Sequence, residues 1–193
     1  LLRDTPEGRW GVSDKAILSS KDSPRRDTTW SKKGGYVTGF DERFDPSTFG
    51  IDSEHLSTLD PLFKWLCYAA QQALQEISPS ALKRTGAILG NLSYPSHQMS
   101  RYAESHWFDE HLSSVSPPPE DRFMSGFPVL SLRRALGIEG PSFALDSACA
   151  SSLYAIKLAC DVLHDKRADV MLAGAVNGAD DLFIHVGFCA LNA

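Results

Sequence analysis

Of the four cysteines, at positions 67, 149, 160 and 189, Cys149 is the one set among residues that suggest chemistry. It follows Ser147-Ala148 and precedes Ala150-Ser151-Ser152, small neighbours that permit a tight turn and let a substrate carbonyl approach the sulfur. It also falls where an apolar strand, Ser142–Asp146, gives way to a helix that begins near Ala150. A thiol at such a junction faces the free N–H groups and the positive end of the helix, an environment that suits a thiolate. The same N–H groups can hold the oxyanion that forms when sulfur attacks a carbonyl. Free cysteine is also among the most buried residue types, so a structural thiol stands beside the nucleophile as a reading of these residues alone. Cys160, within the helix, and Cys189, in a later apolar run, lack the helix-start placement and are expected in the core, as is Cys67.

Other signatures are absent. There is no GxGxxG, no GxxxxGK[ST] and no HExxH, so dinucleotide, P-loop and zincin chemistry have no support. The cysteines show no CxxC spacing, which argues against zinc or a redox pair, and no metal is expected. His106 and His111 flank Asp109 and Glu110 in a polar stretch that reads as a solvated loop. Asn91-Leu92-Ser93 fits a glycosylation sequon, but no secretory signal precedes it.

Several elements must position Cys149. Asp60-Pro61 opens a helix, since Asp caps well and Pro loses nothing at the first helical position. Leu62, Phe63, Leu66, Ala69, Ala70, Ala73, Leu74 and Ile77 then recur at helical spacing, and Ser78-Pro79 is expected to end the run. Thr85–Asn91 reads as a buried strand, and 94–122 as a loop containing Pro117-Pro118-Pro119. Pro128–Leu136 reads as a short helix stopped by Gly137. Ser142–Asp146, residues 150–164 and Asp169–Val176 form a strand–helix–strand unit of parallel α/β type. The first forty residues are broken by Gly and Pro. Their basic cluster, Arg25, Arg26, Lys32 and Lys33, reads as a solvated loop rather than a docking patch.

The chain has 193 residues, 24 acidic against 19 Lys and Arg, a net charge of −5 and 42% hydrophobic residues. That length fits one domain or part of a larger one, and the acidity excludes a general nucleic-acid binder. The apolar content supports a core and excludes disorder as the main state. No run approaches the ~18–20 apolar residues of a membrane span, and the expected setting is the reducing cytoplasm, without a disulfide framework.

Around Cys149 the chain resembles the β-ketoacyl synthases of polyketide and fatty-acid assembly lines. Gly140-Pro141-Ser142-Phe143-Ala144-Leu145-Asp146-Ser147-Ala148-Cys149-Ala150-Ser151-Ser152-Leu153 is similar to their active-site signature. Phe44-Asp45-Pro46-Ser47-Thr48-Phe49-Gly50-Ile51, running to Leu59-Asp60-Pro61, resembles the family's N-terminal block. Ala173-Gly174-Ala175-Val176-Asn177 resembles the strand after the nucleophile helix. Trp10, the Ser31–Tyr36 run and the His185–Ala193 run look most like large multidomain synthases, with the iterative polyunsaturated fatty-acid type nearest.

The resemblance implies an α/β, thiolase-like fold, of which this chain is the N-terminal half: a mixed sheet between helix layers, normally paired as a homodimer. Residues 1–34 are expected to be an irregular lead-in, and 35–193 the N-terminal part of a ketosynthase domain, truncated where the chain stops inside the apolar run Leu182–Ala193. The resemblance makes Cys149 the nucleophile and its backbone N–H an oxyanion donor. Cys149 would take an acyl group from the phosphopantetheine thiol of an acyl carrier protein, or from coenzyme A, for decarboxylative condensation with a malonyl thioester. No permanently bound cofactor is implied. Met124-Ser125-Gly126-Phe127 would line the acyl pocket, with Phe127 as chain-length gate or plain core aromatic. The family's His pair has no match among His55, His97, His106, His111, His164 and His185, so the fragment alone is expected to be inactive. The presence of Cys149 excludes chain-length-factor-like relatives that replace it. A non-catalytic dimerisation or scaffold half, and a thiolase-type acyl-CoA enzyme, are the alternatives. A Cys hydrolase with a Gly-x-Cys-x-Gly elbow is disfavoured by Ala148 and Ala150.

Overall fold

The computed structural model describes residues 2–91, 96, 125–178 and 181–192. Met124, His106, His111, Leu92 and Ser93 of the sequon, and all of the 94–122 loop but Ser96 lie outside the described residues. Contacts group the chain into two compact units, Leu1–Arg43 with Ala179–Ala193, and Phe44–Gly178.

The larger unit is organised around α3 (Pro61–Ala73) and the strand β3 (Thr85–Asn91). Asp60 caps α3, its side chain accepting from Leu62 N–H at 2.9 Å, with Pro61 in the first turn as the sequence implies. The helix closes sooner than expected, at Ala73. Leu74 turns to φ −98°, ψ 5°, and Ile77 N–H bonds back to Leu74 O at 2.9 Å, so the last turn tightens and a separate 3-10 stretch, Pro79–Arg84, leads into β3. A short helix α2 (Ser53–Thr58), capped by Asp52, precedes α3, and α4 (Phe127–Leu136) lies beside it. Gly137 ends α4 in the left-handed conformation (φ 67°), where a side chain is costly, and Ile138 N–H closes on Arg133 O at 3.0 Å.

β3 is buried along its whole length, and its alternating side chains serve two cores. Ala87 and Leu89 join Leu56, Leu62, Phe63, Leu66, Val129 and Leu132 of α2, α3 and α4. Ile88, on the opposite face, packs with Ala155, Ala159, Val162 and Ala168 of the α5 layer (α5, Ser151–His164). Each large side chain fully buried this way contributes roughly 1.5–3 kcal/mol.

β4 (Ser142–Leu145) and β5 (Val170–Val176) both run parallel to β3, in the order β4-β3-β5. Ala87 lies opposite Ser142 on one side and Leu172 on the other. The strand–helix–strand unit foreseen at β4-α5-β5 is therefore present, but its strands are not neighbours: the crossover steps over β3. Exposed Arg84 and Asp169 form a two-pronged ion pair between the entries to β3 and β5.

The smaller unit contains α1 (Asp14–Ile17), the antiparallel pair β1 (Arg3–Asp4) and β2 (Lys33–Gly34), and α6 (Asp181–Ala190). Arg9 grips the Asp181 carboxylate with two N–H groups, Tyr36 Oη lies 3.4 Å from His185 Nε2, and Thr29 Oγ1 lies 3.3 Å from Cys189 Sγ. Two residues of the basic cluster, Lys32 and Arg25, bond within this unit. Lys32 Nζ donates to Asp14 at 2.8 Å, and Arg25 donates to the carbonyls of Lys15 and Leu18. No helix among the described residues is long and apolar enough to cross a membrane.

Candidate active site

Cys149 sits at the C-terminal end of the parallel strands, on the turn that joins β4 to α5, and it is exposed. The next described helix after β3, α4, covers the Leu89 face of the sheet, whereas α5, after β4, covers the Ile88 face. Helices α4 and α5 thus cover opposite faces of the β3–β4 pair, and Cys149 stands at the carboxyl end of these strands, where open α/β sheets characteristically hold ligands.

The junction is more contorted than a strand running into a helix. Residues Ala148–Ala150 make a 3-10 turn, and α5 begins at Ser151. Ala148 has φ 49°, a left-handed conformation that costs a non-glycine residue roughly 1–2 kcal/mol. Five hydrogen bonds hold the turn. Ala148 N–H donates to Asp146 Oδ1 (2.9 Å), Ser147 N–H to Ser151 Oγ (2.9 Å), and Ala150 N–H to Ser147 O (3.1 Å). Ser151 donates twice to the Ala148 carbonyl, through its hydroxyl at 2.7 Å and through its own N–H. At the N-cap of α5 stands Ala150, which has no side-chain acceptor, so no side chain caps the start of the helix beside the sulfur.

The start of α5 is pressed against the end of β3 at Gly90. A Cβ on Gly90 would stand 2.5 Å from Ser151 Cβ and 3.1 Å from Ala175 Cβ. Ser151 is correspondingly only 4% exposed. Gly90 does not stand out in the sequence as part of the site, and Ser151 does so only as a small neighbour of Cys149. An isolated glycine inside an apolar strand is the signal that could have found Gly90, because it marks close approach of another backbone.

The other thiols differ. Cys67 lies in the α3 core, where burial pushes its thiol up to about 12. Cys189 is buried in the smaller unit. Cys160, expected in the core, is instead exposed, because α5 turns Ala155, Ala159 and Val162 inward. Phe127 opens α4, half-buried against the Leu89-face core. Two open clefts of about 490 and 470 Å³ belong to the smaller unit and are not lined by Cys149. Among the described residues no group of His, Cys, Asp and Glu converges as a metal site.

Residues 1–193 match the family model "Beta-ketoacyl synthase, N-terminal domain". The chain belongs to the β-ketoacyl synthase family. This ketosynthase sequence is 34% identical over 181 residues to one of the phenolphthiocerol/phthiocerol polyketide synthase polypeptides of Mycobacterium tuberculosis, covering 91% of this chain and 9% of that protein. It is 29% identical over 189 residues to the PKS-NRPS hybrid synthetase ATPKS of Aspergillus niger, covering 95% of this chain and 10% of that protein. It thus spans about a tenth of the length of these curated relatives. The solved structure "PfaC Keto synthase-Chain length factor" superposes with a TM-score of 0.87 at 32% identity, over 100% of this chain and 22% of that chain. The oxazolomycin ketosynthase domain OzmH KS7 of Streptomyces albus JA3453 shares the fold, with a TM-score of 0.73 at 24% identity, over 97% of this chain and 32% of that one. The ketosynthase, thiolase-like architecture expected from the Cys149 signature is the one present.

Proposed function

We propose that this chain supplies the acyl-accepting part of a condensing enzyme, with Cys149 as its nucleophile. The observation that carries the reading is the exposed Cys149 on a strained turn at the carboxyl end of β4, beside the uncapped start of α5, in a chain of ketosynthase family. The sulfur attacks the carbonyl of an acyl thioester, and the developing oxyanion is met by the N–H of Cys149. A C–S bond to Cys149 forms, the C–S bond to the phosphopantetheine thiol breaks, and the proton of Cys149 leaves with that thiol. A malonyl thioester then loses CO₂. Its enolate carbon attacks the Cys149 acyl group, the sulfur departs, and a β-ketoacyl thioester results. Decarboxylation is assigned to a His pair that this chain does not carry.

The partners in this reading are an acyl carrier protein, the other domains of a multidomain synthase and a second copy of the domain, in the cytoplasm. Pairing is supported by β4, an outer strand of the described sheet, with Phe143 41% exposed, and by Leu153 at 69% on α5. Phe127 and Met124 are kept as acyl-pocket residues, Phe127 as the gate.

The test is incubation of the full-length protein with a labelled acyl-carrier thioester, followed by peptide mapping. Label on Cys149 that disappears in Cys149→Ala is expected. Absence of label from Cys149 in the wild type overturns the reading in favour of a scaffold half.

A further inference from the structure

We propose that Ser151 is a positioning residue: it holds Ala148 in its left-handed conformation and thereby fixes the sulfur and backbone N–H of Cys149 for acyl transfer. The inference rests on the assignment of Cys149 as nucleophile and adds to it a residue that touches no substrate.

The residue preceding the nucleophile is not a glycine, so nothing in its own chemistry keeps it at φ 49°. The restraint has to come from outside, and Ser151 is placed to provide it. Its Oγ accepts the Ser147 N–H at 2.9 Å and donates to the Ala148 carbonyl at 2.7 Å, so a single hydroxyl ties the Asp146–Ser147 peptide to the Ala148–Cys149 peptide and closes the loop across Ser147 and Ala148. The Ser151 N–H reaches the same carbonyl. Asp146 assists from the strand side by accepting the Ala148 N–H at 2.9 Å.

Ser151 is itself immobilised. It is buried, and its Cβ lies over Gly90 so closely that β3 has no room for any side chain there. The turn is therefore referred, through one residue, to the central strand of the sheet. Serine suits this position for a further reason. Its hydroxyl both donates and accepts, as the two contacts require, whereas alanine does neither and a bulkier side chain meets Gly90. Removing the hydroxyl leaves Ala148 free to relax into an ordinary conformation, which moves the sulfur and turns the oxyanion donor. Displacements of about 1 Å in a reacting group cost on the order of 100-fold in rate.

The test uses the full-length protein in four forms: wild type, Ser151→Ala, Ala148→Gly and the double variant. The readouts are the acylation rate of Cys149 by a carrier-bound thioester, its KM and the melting temperature. Ser151→Ala is expected to lower the acylation rate by roughly 10–100-fold with KM within about threefold of wild type. Glycine adopts positive φ freely, so in the Ala148→Gly background the same substitution is expected to cost less than about threefold. A merely structural serine would give the same loss in both backgrounds, and that result overturns the proposal, as does an unchanged rate in Ser151→Ala. Should Ser151→Ala not fold, the comparison of Ala148→Gly with the double variant decides: rates within about threefold support the proposal, and a larger loss or an unfolded double variant overturns it. A wild-type protein that acylates normally while Ser151→Ala also does so refutes this inference alone. A wild type that never acylates Cys149 refutes the nucleophile assignment beneath it.

Discussion

A methyl group on Gly90 would stand 2.5 Å from the Cβ of Ser151, so the central strand and the start of the nucleophile helix meet through a side chain that is not there. The contact joins the interior of the sheet to the turn that carries Cys149. Gly90→Ala is expected to destabilise the protein by about 1–3 kcal/mol, as overpacking does, and to slow acylation of Cys149 more than the loss of folded protein explains. Thermal melts and acylation rates measured on the same preparation check it; a normal rate per folded molecule would mean the turn tolerates a shift of α5.

The four thiols are expected to separate by placement. Iodoacetamide footprinting of the folded full-length protein at neutral pH should label Cys149 first, Cys160 more slowly, and the buried Cys67 and Cys189 negligibly. Cys67 or Cys189 labelled ahead of Cys149 would contradict the site.

Burial pushes the Cys67 thiol up to about 12 from an ordinary value of 9.0. The folded state then holds this proton at pH values where the unfolded chain has released it. The associated stability is complete below about pH 9 and is lost as the pH climbs from there toward 12. Denaturation midpoints of wild type should therefore fall more steeply above about pH 9 than those of Cys67→Ala. Parallel slopes would remove Cys67 as the source.

Phe127 packs against the α3–α4 core while opening the helix that returns to β4. As a chain-length gate, its replacement by alanine in the complete synthase should lengthen the product as well as lower stability, the latter by up to roughly 3 kcal/mol for a half-buried ring. Lower stability with unchanged product length would leave it a core aromatic only.

Residues 1–193 on their own should transfer an acyl group to Cys149 weakly at best and form no detectable β-ketoacyl product. Removal of catalytic partners that act together costs about 10⁴-fold or more. A two-step assay that scores acyl-Cys149 separately from product checks this, and product near the full-length rate would refute it.

Much of this arrangement can be read locally. Asp60-Pro61 signals a helix start because both residues act through their own covalent chemistry, and Gly137 signals a stop for the same reason. Between Thr85 and Asn91 the strand carries no polar side chain, as a strand covered on both faces requires. The exposure of Cys160 was not legible, because α5 is apolar nearly all round: Leu153, Tyr154 and Ile156 are exposed while alanines face the sheet. Periodicity cannot choose a face when most faces are apolar. Strand order was also hidden, since a local pattern shows that β4 and β5 exist but not that β3 lies between them. The left-handed Ala148 leaves no mark on its own side chain; its cause is distributed over Asp146 and Ser151.

The insertion of β3 between two later strands has a consequence for synthesis on the ribosome. The contact from Ala87 to Ser142 spans 55 residues, and that from Arg84 to Asp169 spans 85. At roughly 5–20 residues per second, β3 emerges several seconds before the last of its partners and must wait with apolar faces and unsatisfied edges. The nascent chain is thus expected to engage holding chaperones until residue 176 clears the exit tunnel. Stalled chains ending before β5 should crosslink to such chaperones through β3, and longer ones should not.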